Sequence, residues 1–176
     1  MGKPVFRERL LAVIAGTVML AFLSVPGAFC QSGGVGEAGY HNQQGMEYFK
    51  KGFYGHAPKN QAAEAERNYG LAVKEFKAAI SRDFSYTEAH RNLARVYYIQ
   101  KNFHGAAEEY KRVTELAPSE LDAYVNLALA LIELKRPAEA IQVLEDAKGH
   151  TYDPKALETL DSYIEKVRAY QEKEVR

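Results

Sequence analysis

Thirty-four residues after Asn92, which opens NLARVYYIQKNFHGAAEEYKRVTELAP, the chain restates the same order of small and bulky residues from Asn126 as NLALALIELKRPAEAIQVLEDA. This restricts the fold strongly, because a unit recurring every few tens of residues buries its apolar face only against its neighbours. Aligned at that period, His90, Leu93, Ala94, Tyr97, Ala106 and Tyr110 match Tyr124, Leu127, Ala128, Leu131, Ala140 and Leu144; Pro118 finds its counterpart, Pro154, two residues late. An upstream copy runs His41, Gln44, Gly45, Tyr48, Ala72, Phe76, but Asn42 to Arg91 is 49 residues, 15 more than the period. The surplus falls near residues 53–67, between the two halves of that copy.

Apolar residues recur at helical spacing in long windows, and strand-type alternation is hard to find, so the chain reads as all-α. Trp is absent, so any motif built on Trp must be satisfied here by other bulky residues. With that substitution the order resembles the tetratricopeptide repeat, W-x2-L-G-x2-Y followed by A-x3-F and P. The resemblance covers roughly residues 39–154 and implies an α-solenoid of about three antiparallel helix pairs: 39–86, with the insertion near 53–67, then 87–120 and 121–153. Small residues (Gly45, Ala94 and Ala128 on the first helices, Ala72, Ala106 and Ala140 on the second) let backbones approach closely. Tyr97, Tyr110, Leu131 and Leu144 fill the space around them. Residues 154–176 follow as a capping helix and charged tail, with Leu157, Leu160, Ile164 and Val167 on one face.

Boundary signals agree with that reading. Ser85 with Glu88 forms a capping box, and Ser119 with Asp122 a weaker one. Pro137 and Pro154 suit first-turn positions, Asp153 caps the last helix, and Gly149 suits a C-terminal cap. The insertion is expected to lengthen the second helix of the first pair after a longer loop.

Residues 1–30 belong to another physical regime. Lys3, Arg7 and Arg9 precede Leu10 to Val25, 16 residues without charge, and Pro26, Gly27 and Ala28 follow. That is the order of a secretory signal peptide. Counted on to Phe29, the run reaches 20 residues, enough at ~1.5 Å each to cross a bilayer core, so an N-terminal membrane anchor is the other reading. A Gly-rich linker occupies 31–38. Cys30, the only cysteine, excludes an internal disulfide. Its place resembles a bacterial lipoprotein acylation site, although Phe29 stands where a small residue is expected. The expected setting is the periplasm or cell envelope, with membrane association through the N-terminal segment.

Catalytic signatures are missing. No nucleophile-and-base motif, phosphate loop or haem attachment site occurs, and the five histidines lack metal-ligand spacing. His41 and His90 both occupy the Trp position of the repeat and read as rings packed between helices; Glu108 and Glu109 read as a solvated face. Basic and acidic residues balance, 23 against 23, which removes the electrostatic case for nucleic acid. The sequence therefore reads as a non-enzymatic protein-interaction scaffold with no cofactor and no metal; the alternatives are a membrane-tethered structural subunit of an envelope complex or an accessory domain to a separately encoded enzyme or transporter.

The resemblance further implies a concave groove lined by the first helix of each pair and receiving a peptide or helix of a partner protein. By register its lining is Asn42, Met46 and Phe49, then Arg91, Arg95 and Tyr98, then Val125, Leu129 and Ile132, each trio spaced i, i+4, i+7 on one helix face. The tandem arginines suit a carboxylate. Co-chaperone members clamp a C-terminal carboxylate with Lys, Asn, Asn, Lys and Arg; here Asn42, Met46, Asn92, Asp122 and Asn126 hold those places, so that clamp is not expected.

Overall fold

The computed structural model describes residues 36–55 and 61–174. The signal or anchor segment, Cys30 and most of the Gly-rich linker lie outside the described residues. Seven helices follow in order: α1 (Glu37–Tyr54), α2 (Ala62–Arg82), α3 (Thr87–Ile99), α4 (Phe103–Leu116), α5 (Leu121–Glu133), α6 (Pro137–Lys148) and α7 (Pro154–Glu174), with no strand among the described residues. Each helix packs on the next, and α1 also reaches α3. The all-α solenoid of three pairs and a closing helix is present as expected.

Several expected caps form and two do not. Asp153 accepts from the backbone N–H of Lys155 at 3.2 Å and of Ala156 at 3.3 Å, starting α7. Pro137 sits in the first turn of α6, and Gly149 ends it, in right-handed rather than left-handed backbone conformation. The Ser85–Glu88 box is absent. Ser85 instead donates its backbone N–H (2.9 Å) and hydroxyl (2.6 Å) to Asp83, holding that carboxyl below its ordinary value. At α5, Glu120 rather than Ser119 is the cap residue, without a side-chain cap bond. Asn102, which sequence reading passed over, caps α4 by accepting from Gly105 N–H at 3.1 Å.

The turns inside the second and third pairs share a device. Lys101 (φ 59°) and Lys135 (φ 63°), one period apart, are left-handed. Behind them Asn102 N–H donates to Tyr97 O at 2.8 Å and Arg136 N–H to Leu131 O at 2.9 Å. This closes the helix by a Schellman arrangement, with lysine where glycine is usual. A left-handed residue with a Cβ costs about 1 kcal/mol.

Two buried clusters hold the stack. The first gathers Phe49, Tyr69, Phe76, Leu93 and Val96; the second gathers Ala94, Tyr110, most of α5, Leu144 and the Leu160, Ile164, Val167, Tyr170 face of α7. Tyr97 packs against both. Phe76 is fully buried over Gly45, where an added Cβ would stand 2.5 Å from its ring. Ala94 with Tyr110 and Ala128 with Leu144 are the counterparts of that pair, a small residue under a bulky one. Each such large side chain contributes about 1.5–3 kcal/mol on burial.

The 15 extra residues of the first pair are shared rather than placed in one helix. α1 continues nine residues beyond Gly45 where α3 continues five beyond Ala94, and α2 begins ten residues before Ala72 where α4 begins three before Ala106. The expected lengthening of the second helix is present, and the first helix lengthens as well. Both helices grow, α1 by about one turn (~6 Å) and α2 by about two (~10 Å). Gly52 permits their close approach, since a Cβ there would stand 2.8 Å from the Tyr69 ring. Gln100 donates to Glu66 at 3.0 Å, tying the end of α3 to this hairpin.

Candidate partner-binding groove

The three register stripes meet different surroundings. On α1, Asn42 and Phe49 are buried and Met46 is half-buried. Asn42 Oδ1 accepts from Asn92 Nδ2 at 3.0 Å, locking α1 to α3 through amides. Among the five places a carboxylate clamp would use, two therefore bond each other. On α3, Arg91 pairs with Glu120 at 3.1 Å, a partly exposed bridge worth about 0–1 kcal/mol. The guanidinium carbon of Arg95 stands 5.5 Å from the centre of the Phe49 ring, a cation–π contact that joins the first two stripes. Tyr98 meets Phe103 edge to face at 5.3 Å.

Arg95 is the electrostatic centre of this region. Burial, and then repulsion from Arg91, pull it below the ordinary arginine value, while nearby Tyr110 and Tyr54 act in the opposite sense. Burial also pushes the Tyr110 hydroxyl well above its ordinary value, with Arg95 partly offsetting the rise. A desolvated cation among aromatic rings favours an incoming anion, because charge-assisted hydrogen bonds strengthen where water is excluded.

The third stripe is packed. Val125, Leu129 and Ile132 are 9%, 7% and 3% exposed. Tyr163 and Val167 of α7 join them around a pocket of about 10 Å³. That volume is at the threshold for one water molecule, so no small ligand enters there. The accessible part of the predicted lining is thus Met46 on α1 with Arg91, Arg95 and Tyr98 on α3, all half-buried, whereas Asn42 and Phe49 are as buried as the third stripe. Phe53, eleven residues after Asn42, continues the α1 stripe by one more turn. The spacing contained that signal, and the sequence reading stopped short of it.

The histidines at the Trp position have specific partners. His41 Nδ1 meets Glu75 Oε2 at 2.7 Å, and His90 Nδ1 meets Glu109 Oε2 at 2.7 Å while its Nε2 lies 3.2 Å from Phe84 O. Each pair links the first helix of a repeat to the second. Glu109, expected on a solvated face, is therefore half-buried and bonded. With a carboxylate oxygen at Nδ1 and a carbonyl oxygen at Nε2, both ring nitrogens of His90 are engaged in structural contacts. Among the described residues no group of three or more His, Cys, Asp or Glu side chains is placed to hold a metal.

No curated protein matches the sequence. Among solved structures the chain is similar to the TPR2B domain of yeast Sti1 in its pHsp70 complex, at 21% identity and TM-score 0.59, over 76% of this chain and 98% of that one. It is similar to the TPR2AB domain of yeast Sti1 in its pHSP90 complex, at 19% identity and TM-score 0.58, over 95% of this chain and 57% of that one. It is also similar to MamA, at 16% identity and TM-score 0.53, over 99% of both. At these identities the likeness shows the helical-repeat fold. Two tetratricopeptide-repeat family profiles match residues 61–120 and 98–162, so the repeat register is matched from α2 into α7. The chain belongs to the tetratricopeptide-repeat family, whose domains are protein-interaction modules.

Proposed function

We propose that this protein is a non-catalytic docking scaffold of the cell envelope, which holds a segment of a partner protein against α1 and α3 and so supports assembly of a complex. The observation that carries the reading is Arg95 seated over Phe49, a partly desolvated cation on an aromatic floor at the centre of the groove. A carboxylate of the partner segment meets that guanidinium, and Arg91 one turn earlier adds charge at the rim. The envelope setting draws its support from the basic start and uncharged run of residues 3–25.

The test begins with partner capture and identification from the native host, followed by binding measurements on purified components. Arg91→Glu combined with Arg95→Glu is expected to weaken binding more than about 100-fold, in the range of a buried charge reversal, with helicity and melting temperature retained. Unchanged affinity overturns the groove reading. A second reading, a membrane-tethered structural subunit, is favoured by the 20-residue run to Phe29. Intact mass of the native protein separates the two: a free terminus near residue 31 means a cleaved leader, a diacylglycerol mass on Cys30 a lipoprotein, and retention of residues 1–30 an anchor.

A further inference from the structure

We infer that the surplus of the first repeat is a working part of the docking site: the added turn of α1 presents Phe53 and Tyr54 as an aromatic wall that receives an apolar side chain of the partner segment, next to the carboxylate taken by Arg95. This rests on the groove reading above and names the class of segment that the groove accepts.

Register supplies the first support. Phe53 extends the Asn42, Met46, Phe49 stripe, while α3 stops at Ile99, one residue after Tyr98, so α1 overhangs the opposite wall. Ring geometry supplies the second. Phe49 and Phe53 stack with centroids 5.6 Å apart and planes at 17°, and Phe53 meets Tyr54 edge to face at 5.0 Å. Phe49, which also carries the Arg95 guanidinium at 5.5 Å, thus stands between the cation and the outer rings. The third support is exposure without a structural need. The hairpin already closes through Phe49 against Tyr69, at 6.2 Å, yet Phe53 is 37% and Tyr54 71% exposed.

Charge selects the occupant. Lys50 and Lys51 on the same stretch of α1 and Arg91 and Arg95 on α3 outnumber the anions Glu47 and Glu120, which are engaged by Lys50 (3.3 Å) and Arg91 (3.1 Å), while Lys51 lies over the Tyr48 ring at 5.5 Å. A cationic, aromatic wall of this kind fits an acidic segment. With the ring of Phe49 between the two contacts, an extended segment rising ~3.3 Å per residue would place its carboxylate and its aromatic or long aliphatic side chain about two to three residues apart.

Random twelve-residue peptides displayed on phage and selected against the mature protein from its native host provide the test, with synthetic copies of the winners measured by fluorescence anisotropy. The expected consensus is Asp or Glu with an aromatic or long aliphatic residue two or three positions away. Phe53→Ser with Tyr54→Ser is expected to weaken binding about ten-fold, and Arg95→Met at least as much. Replacing the apolar residue of the peptide by Ala should make the serine variant and the parent equivalent. If Arg95→Met abolishes binding while the serine variant binds as well as the parent, the inference falls and the groove reading stands. If neither variant changes affinity, both fall. A set of winners without the acidic-apolar pairing also overturns the inference. Circular dichroism of each variant confirms that the fold is kept.

Discussion

Arg91, Arg95 and Tyr98 in the second repeat and Val125, Leu129 and Ile132 in the third occupy the same three positions of the motif, one period apart, yet one trio lines a cationic surface and the other is core. The helix that follows makes the difference. α7 brings Tyr163 and Val167 against the third stripe and leaves about 10 Å³ beside it. The same division runs through the Trp position. His41–Glu75 and His90–Glu109 link the first two pairs, whereas Tyr124 and Val143 occupy those places in the third, with His150 stacked on Tyr124 at 5.5 Å. Register decides which way a side chain faces; the neighbouring element decides whether that direction is solvent, ligand or core.

The sharpest way to break this comparison is to add a charge to the third stripe and remove one from the second. Leu129→Asp is expected to lose more than about 3 kcal/mol in urea unfolding, the cost of an unpaired charge in the core. Arg95→Met should change stability by less than about 1 kcal/mol while removing ligand. Comparable losses at the two sites would mean that α3 is packed like α5. Next, Gly45→Ala should cost about 1–3 kcal/mol, because its Cβ meets the Phe76 ring at 2.5 Å. Gly70→Ala, in α2 with nothing within 4 Å, should gain about 0.5–1 kcal/mol by thermal melting.

Glu109→Val alone should cost about 1–3 kcal/mol by leaving the buried His90 without its carboxylate. Adding His90→Tyr installs the third repeat's residues and should recover a large part of that loss; a double-mutant cycle reads the coupling. The smallest effects concern the left-handed lysines. Lys101→Gly should gain about 0.5–1 kcal/mol by removing strain. Lys135→Gly should gain less, because Lys135 Nζ donates to Tyr170 of α7 at 3.0 Å and lies 5.6 Å from its ring. Equal gains would show that this link to the closing helix contributes nothing.

The stacking of helix pairs was legible because Leu93, Ala94, Tyr97, Ala106 and Tyr110 are spaced by contacts local to one pair, and local contacts repeat in sequence as they do in space. What crosses between elements was less legible. Val125, Leu129 and Ile132 share one face of α5, as their spacing requires, but nothing in that helix states that Tyr163 will cover them. Glu109 reads as surface on α4 until His90 is opposite it. Ser85 and Glu88 have cap spacing, but Asp83, two residues earlier, competes for the Ser85 hydroxyl at shorter range. The insertion was visible as a number of residues, while its partition between α1 and α2 depended on the fit of Tyr69 beside Gly52.

The extra length of α1 and α2 enters at the turn within a pair, off the axis along which pairs stack, and Gly45, Ala72 and Phe76 keep the relation that Ala94, Ala106 and Tyr110 have. In evolutionary terms that turn is a permissive locus. A lineage can lengthen, trim or recolour the overhang, altering which segments are retained, without disturbing the inheritance of a foldable stack. The same property makes the α1–α2 turn the natural place to graft a foreign recognition loop onto this chain.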